Sequence, residues 1–135
     1  MKVVIIDGQG GKMGQMLIER IKSGNLPCEL IAVGTNSIAT SAMLKAGADA
    51  GATGENSVIV ASRDADVIIG PIGIVSADSL LGEVTPAMAV AVGQCKAKKL
   101  LLPVNLCNNI IVGTGSLSMA KLIAEAVEEL AKMIK

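Results

Sequence analysis

Residues 1–20, MKVVIIDGQGGKMGQMLIER, carry the pattern that decides the fold. The apolar, β-branched run at residues 3–6 has the length and composition of a buried strand. It ends at Asp7 in a glycine-rich turn over residues 8–14, and apolar side chains then recur at helical spacing as far as Ile21. A strand, a glycine turn and a helix in this order open a βαβ unit of the dinucleotide-binding kind.

Each glycine of this turn has a physical role in such a unit. Gly8 lets the chain turn sharply, and Gly10 or Gly11 lets the backbone approach a phosphate closely. Gly14 allows the helix to pack tightly on the strand. The first helical turn directs free N–H groups and a positive dipole end at this region, which favours an anion there. The turn therefore predicts a site for a small phosphorylated ligand.

Composition excludes several classes of function. The 135 residues are enough for one domain, which we predict to span residues 1–135, and the 12 basic and 12 acidic residues leave no net charge. There is no basic stripe and no Phe, Tyr or Trp, so nucleic-acid binding is not expected. Because His is absent, the commonest zinc ligand is missing and no metal site is indicated.

The apolar content of the sequence predicts the cellular location and the oligomeric state of the protein. Hydrophobic residues make up 51% of the sequence, and none of them is aromatic. No apolar run approaches the ~20 residues that span a membrane, so we expect a cytoplasmic protein without membrane contact. So apolar a sequence on so small a body predicts a homo-oligomer that buries part of its surface.

Strand and helix signals alternate along the rest of the chain. Further strands are predicted at residues 29–33, 67–70, 99–103 and 109–112, and helices at 37–45, 55–63, 85–95 and from 116 or 118 to the end. Residues 57–61 also fit a strand, which is the alternative to the helix at 55–63. The link between the last two predicted strands is too short for a crossover, so the fifth strand should run antiparallel to the fourth.

These elements predict an α/β fold, a three-layer Rossmann-like doubly wound sheet with helices on both faces. The sheet should be mostly parallel, with the antiparallel fifth strand at its edge. The expected strand order is 2-1-3-4-5, or 3-2-1-4-5 if residues 57–61 form a strand. In both orders the crevice beyond the carboxyl ends of the central strands gathers residues 7–14, 34–37 and 70–73 around one site.

The glycine turn resembles that of dihydrodipicolinate reductase, whose first strand leads into a GxxGxMG loop. The matching residues are Gly8, Gly11, Lys12, Met13 and Gly14. The likeness is confined to the beginning of the chain, and we expect no counterpart here of the separate substrate domain of that family. The resemblance therefore implies a phosphate-binding turn and does not imply the reductase reaction.

Over most of its length the chain is similar to a family of short, uncharacterised bacterial proteins, a domain of unknown function found mainly in anaerobic Firmicutes. The stretches that carry this likeness are IIDGQGG, GTNSIATSAMLKAGAD, GATGEN, ADVIIGPIGI and GEVTPAMAVAVG. That family is Rossmann-like and has no assigned reaction. The resemblance therefore implies the fold, while the function has to be argued from the residues.

The cofactor is less clearly signalled than the turn. An NAD site usually has an acid at the end of the second strand, where it binds the ribose hydroxyls. Residues 34–37, GTNS, contain neither an acid nor an Arg, although Thr35 and Asn36 can hydrogen-bond a ribose or a 2′-phosphate. NAD and NADP both stay open. The predicted cofactor-binding residues are Asp7, Gly8, Gln9, Gly10, Gly11, Lys12, Met13, Gly14, Thr35, Asn36, Gly70, Pro71 and Gly73.

Other polar residues near the crevice allow two interpretations each. Asp7 can bind a ribose hydroxyl or a metal, act as a base, or accept hydrogen bonds from the turn amides. Glu55 and Glu83 each follow a glycine and precede a helix, so we interpret them as capping residues, with a polar rim of the crevice as the alternative. Residues 105–109 can offer amides and the Cys107 thiol, but without His an activated nucleophile is not expected.

Three functions fit these residues. The first is a module that binds a nucleotide or dinucleotide at the glycine turn and serves a regulatory purpose. The second is a small oligomeric NAD(P)-dependent oxidoreductase whose pocket is completed by a second subunit. The third is a structural or interaction protein with no ligand. The sequence assigns no catalytic residue.

Overall fold

The computed structural model describes residues 1–104 and 108–134, which form a five-stranded parallel sheet with helices on both faces. All four strand pairings are parallel, and the order is β3-β2-β1-β4-β5. The strands are β1 (Lys2–Asp7), β2 (Glu29–Gly34), β3 (Ala50–Thr53), β4 (Val67–Pro71) and β5 (Lys98–Leu102). The helices are α1 (Lys12–Ser23), α2 (Ser37–Lys45), α3 (Glu55–Asp64), α4 (Pro86–Gln94) and α5 (Met119–Ile134), with a 3₁₀ turn at Ile72–Val75.

The central strand β1 separates two apolar cores. Val3 and Ile5 face one core, which the buried sides of α1, α2 and α5 complete. Val4 and Ile6 face the other core, which α3 and α4 complete. A strand buried on both faces is apolar at successive positions, which explains the continuous run at the start of the sequence. The predicted three-layer α/β arrangement is confirmed.

The strand order corrects part of the sequence prediction. The order 3-2-1-4-5 is present, but its edge strand is β3 and not residues 57–61, which lie inside α3 as the helical prediction had it. β3 has the sequence AGAT, and all four residues are exposed. It pairs with β2 through its backbone, from Ile31 opposite Ala50 to Gly34 opposite Thr53. Its small residues bury no apolar face, so the hydrophobic pattern gave no signal for a strand.

The predicted antiparallel fifth strand at residues 109–112 is wrong. The last strand of the sheet is β5, which runs parallel to β4, and residues 108–118 connect toward α5 without strand pairing. The apolar run that suggested a strand is exposed: Ile110 and Val112 retain 86% and 93% of their accessible surface. A short apolar run identifies a strand only when a sheet covers it.

The start of α4 matches its sequence signal and supplies a first prediction. The Thr85 hydroxyl accepts a hydrogen bond of 3.2 Å from the Met88 amide, and Pro86 is the first helical residue. We expect Thr85→Ala to lower the free energy of unfolding by about 1 kcal/mol, because the capping acceptor is lost. Urea unfolding measures the change. Thr85→Ser keeps the oxygen and should recover most of the loss, so an equal loss in both variants would contradict the capping role.

Among residues 1–104 and 108–134, no helix has both the length and the apolar character to cross a membrane.

Candidate functional site

The glycine turn lies at the carboxyl edge of the sheet, between β1 and α1. Parallel register brings Asp7 of β1 opposite Gly34 of β2, and Gly34 opposite Thr53 of β3. β1 has β2 on one side and β4 on the other, so chain connections leave it in opposite directions. In open α/β sheets this switch point is where the crevice for a ligand forms.

The structure separates the roles of the two middle glycines. Gly11 has φ of +73°, and its amide closes the turn with a 2.9 Å hydrogen bond to the Gly8 carbonyl. A Cβ on Gly11 would lie only 2.8 Å from the Ala39 Cα, so this glycine packs on the backbone of α2. Gly10 is exposed, and a Cβ there would have no atom within 4 Å. Of the two, Gly10 is therefore the one that leaves room for a ligand.

Gly14 sits where α1 crosses the end of β1. A Cβ at this position would lie 3.1 Å from the Asp7 Cβ and would overlap the sulfur of Met43 on α2. The close packing of helix on strand that the sequence predicted for Gly14 is thus present.

Asp7 ties the two ends of the turn together. Its Oδ1 accepts a 2.8 Å hydrogen bond from the Gly8 amide, and its Oδ2 accepts one of 2.8 Å from the Gly14 amide. The side chain is buried, and this burial raises the pKa of Asp7 above its usual value, against the lowering effect of the two amides. The nearby Glu83 carboxylate also raises it. Of the roles open to Asp7, the acceptor of turn amides is the one that the geometry shows.

Glu83 contacts the same turn from the loop before α4. Its Oε1 accepts three hydrogen bonds, of 2.8 Å from the Gln9 amide, 2.7 Å from the Thr35 hydroxyl and 2.8 Å from the Asn36 side-chain amide. Burial alone would raise the pKa of Glu83, but these donors together hold it below its ordinary value. Glu83 is therefore an ionised carboxylate at the crevice, as in the alternative interpretation, and Thr85 is the helix cap.

The loop that delivers Glu83 has an unusual backbone. Asp78, Leu80 and Leu81 have φ of +66°, +56° and +56°, a conformation that costs energy for residues other than glycine. Leu80 is buried, and the Ser79 hydroxyl donates to the Ser76 carbonyl at 2.8 Å. Such strain persists only where surrounding contacts hold it, and it is concentrated at functional sites.

Thr35 and Asn36, two predicted site residues, reach the turn as expected. The Thr35 amide donates 2.9 Å to the Asp7 carbonyl. The Asn36 side chain accepts 2.8 Å from the Ala39 amide, which caps α2, and donates 2.9 Å to the Gln9 carbonyl. The end of β2 is thus fastened to the turn through side chains as well as through the sheet.

The third predicted segment is more buried than the sequence suggested. Gly70 and Pro71 end β4 and are buried, and a Cβ on Gly70 would press on the Ile6 carbonyl. Gly73 is buried too, yet it borders a cavity of about 180 Å³ beyond β4, together with Ile72, Val75 and Ile111. The backbone of Gly70 therefore serves sheet packing, and only Gly73 faces open space at this edge.

Candidate catalytic and metal groups are sparse. Within the part of the chain that the structure describes, no three side chains of His, Cys, Asp or Glu cluster as metal ligands. Asn108 and Asn109 are exposed, while Asn105 and Cys107 lie outside the described residues. The geometry therefore gathers polar groups around the turn, with Asp7 and Glu83 as the two acids among them.

Comparison with known proteins identifies the family of this chain. Among solved structures it is similar to a dodecameric FMN-dependent UbiX-like decarboxylase from Escherichia coli O157:H7, with 14% identity and a TM-score of 0.43, over 98% of this chain and 93% of the other. At that level the likeness carries no inference about ligand or assembly. No curated protein matches the chain. The family described as "Domain of unknown function (DUF3842)" matches residues 2–135, and the chain therefore belongs to it.

Proposed function

We propose that this protein binds a nucleotide or dinucleotide, with its phosphate on the glycine turn. One observation carries the proposal: the amides of Gly10 and Lys12 have no hydrogen-bond acceptor among residues 1–104 and 108–134, and the space around Gly10 is open. They lie at the switch point of a parallel sheet and at the start of a twelve-residue helix. Unpaired amides at a helix N-terminus favour an anion.

The two acids near the turn bond to other amides and leave those of Gly10 and Lys12 free to bind a ligand. The Asp7 carboxylate is occupied by the amides of Gly8 and Gly14, and Glu83 by that of Gln9. Lys12 is exposed at the first position of α1, so a cation stands where an arriving phosphate would be. The N-cap residue of α1 is Gly11, which supplies no side-chain acceptor, so among the first-turn amides the one of Gly14 bonds to Asp7 while that of Lys12 has no acceptor among the described residues. The free amides and the Lys12 cation favour an anion at the open part of the turn, against the repulsion of the Glu83 carboxylate next to Gln9.

Isothermal titration calorimetry tests the proposal with the whole chain. NAD(H), NADP(H), FAD, FMN, ATP and coenzyme A cover the nucleotide classes that a turn of this kind holds. We expect at least one of them to bind with a stoichiometry of one per chain. Absence of binding by all of them would overturn the proposal and favour a structural or interaction role.

Gly10→Val separates binding from folding. A valine side chain would fill the open space in front of the turn, so we expect affinity for the bound nucleotide to fall at least tenfold, which is about 1.4 kcal/mol. Because nothing lies within 4 Å of a Cβ at Gly10, we expect the free energy of unfolding to stay within about 0.5 kcal/mol of wild type.

The control is Gly93→Val, the same change at an exposed glycine with open surroundings near the end of α4. α4 returns the chain to the opposite edge of the sheet, so nucleotide affinity should be unchanged in this variant. Full binding by Gly10→Val, or equal weakening in both variants, would place the ligand elsewhere.

The NAD or NADP identity of the cofactor, the regulatory role, the homo-oligomer, the cytoplasmic location and the distribution among anaerobic Firmicutes stay predictions.

A further inference from the structure

We propose that Glu83 recognises the ribose diol of the bound nucleotide, and that the site therefore selects ligands with free 2′- and 3′-hydroxyls against those with a 2′-phosphate. The inference rests on the proposed function, since it names the ligand class of that same site. It assigns to Glu83 the role that an acid at the end of the second strand has in other dinucleotide sites.

The position of the carboxylate is the first argument. β2 ends at Gly34 with no acid after it, and the carboxylate of Glu83 comes to this end instead. Its Oε1 lies 2.7 Å from the Thr35 hydroxyl, just past β2, and 2.8 Å from the Gln9 amide in the turn. An acid that arrives 48 residues later in the sequence thus stands between the second strand and the glycine turn, where a nucleotide's ribose lies in such folds.

The second argument is that one carboxylate oxygen of Glu83, Oε2, can still accept hydrogen bonds. All three donors go to Oε1, and no donor among the described residues reaches Oε2. An ionised carboxylate has about four acceptor sites and no donor, so it can still accept hydrogen bonds from hydroxyl groups. The same charge repels a 2′-phosphate, which carries roughly −1.5 to −2 at neutral pH. The chemistry fits a diol and disfavours its phosphorylated form.

The rigidity of the loop is the third argument. Three hydrogen bonds to Oε1 from two segments, the glycine turn and the two residues after β2, fix the carboxylate before any ligand arrives. The left-handed residues Asp78, Leu80 and Leu81 show that the chain is held in a costly conformation to place Glu83 there. A group fixed in advance gives specificity, because the ligand does not have to order it.

The test compares ADP-ribose with 2′-phospho-ADP-ribose by calorimetry, using the whole chain and the variants Glu83→Gln and Asp78→Asn. We expect wild type to bind ADP-ribose at least tenfold more tightly. Glu83→Gln should weaken ADP-ribose about tenfold and reduce the preference to less than threefold, since the charge is lost while the shape is kept. Asp78→Asn removes one charge from the same loop at a φ that Asn tolerates, and it should keep the full preference.

The outcomes separate this inference from the proposed function. Equal affinity of wild type for the two ligands overturns the inference, and so does a preference that survives in Glu83→Gln. If another nucleotide binds and ADP-ribose does not, the inference is overturned while the proposed function stands. Failure of every nucleotide to bind overturns both. The wild-type comparison needs no variant, so equal affinities would overturn the inference even if Glu83→Gln misfolds.

Discussion

Replacing Gly11 with alanine is expected to lower the free energy of unfolding by about 2–4 kcal/mol. Gly11 has φ of +73°, where an L-residue costs roughly 1–2 kcal/mol. Its new Cβ would lie 2.8 Å from the Ala39 Cα and 2.9 Å from the Ala39 carbonyl oxygen. Because both are backbone atoms of α2, the helix itself must move, and overpacking of this kind costs about 1–3 kcal/mol. Urea unfolding followed by circular dichroism measures the loss.

Gly10→Ala is the matched control, one residue away in the same turn. A Cβ at Gly10 meets no atom within 4 Å, so we expect this variant to stay within about 0.5 kcal/mol of wild type. Equal stability of the two variants would show that α2 does not pack on Gly11 as described. The pair also explains why a substitution at Gly11 mixes folding with binding, whereas one at Gly10 reports on the ligand.

Replacing Asp7 with alanine is expected to cost about 2–4 kcal/mol at acidic pH. The change removes the acceptor for the Gly8 and Gly14 amides, each 2.8 Å from a carboxylate oxygen. A buried donor left without a partner costs about 1–3 kcal/mol, and both amides belong to buried glycines. The loss of the group that joins the two ends of the turn should therefore be among the larger effects in the molecule.

The size of this loss should fall as the pH rises. Burial raises the pKa of Asp7 in the folded protein above the unfolded value of about 3.9. The folded state therefore holds the proton more tightly, and the stabilisation by Asp7 is greatest below the unfolded pKa and decreases as pH rises through the folded one. Unfolding of wild type and Asp7→Ala at pH 4, 5.5 and 7 should show a stability difference that shrinks with pH.

Asp64→Asn is the control for this pH dependence. Asp64 is exposed and pairs with Lys2 at 2.7 Å, which holds the pKa of Asp64 below its ordinary value. We therefore expect a small loss, present near neutrality and vanishing as pH falls, because solvent screens this exposed pair. A difference for Asp7→Ala that grows with pH, like that of Asp64→Asn, would show that the Asp7 carboxylate is stabilised rather than strained by its site.

The local elements were largely predictable because their signals are local. The run at residues 3–6, the glycine turn and the periodic residues after it define β1 and α1 within the first 23 residues. Thr85 and Pro86 mark the start of α4 in the same way. β3 was not predictable from pattern, since its AGAT sequence is exposed at the sheet edge and has no apolar face to reveal it.

The candidate site also has a part that was predictable from the sequence and a part that depends on tertiary contacts. The sequence placed Asp7, the turn and residues 35–36 at one crevice, because parallel strands bring their carboxyl ends to a common edge. It did not distinguish Gly10 from Gly11, since that difference depends on the Ala39 backbone of a neighbouring helix. From the sequence we interpreted Glu83 as a capping residue, because an acid just before a helix most often stabilises the helix N-terminus.

The sequence by itself determined an α/β unit with a glycine-rich turn between its first strand and its first helix, because the signals for strand, turn and helix lie in neighbouring residues. Only the tertiary structure decided the sheet order, the position of the edge strand and the contact of Glu83 with the glycine turn. Glu83 and Thr35 are 48 residues apart, and no periodicity or motif links them. Their contact exists because the loop before α4 folds back onto the glycine turn and the end of β2, where three donors converge on one carboxylate oxygen.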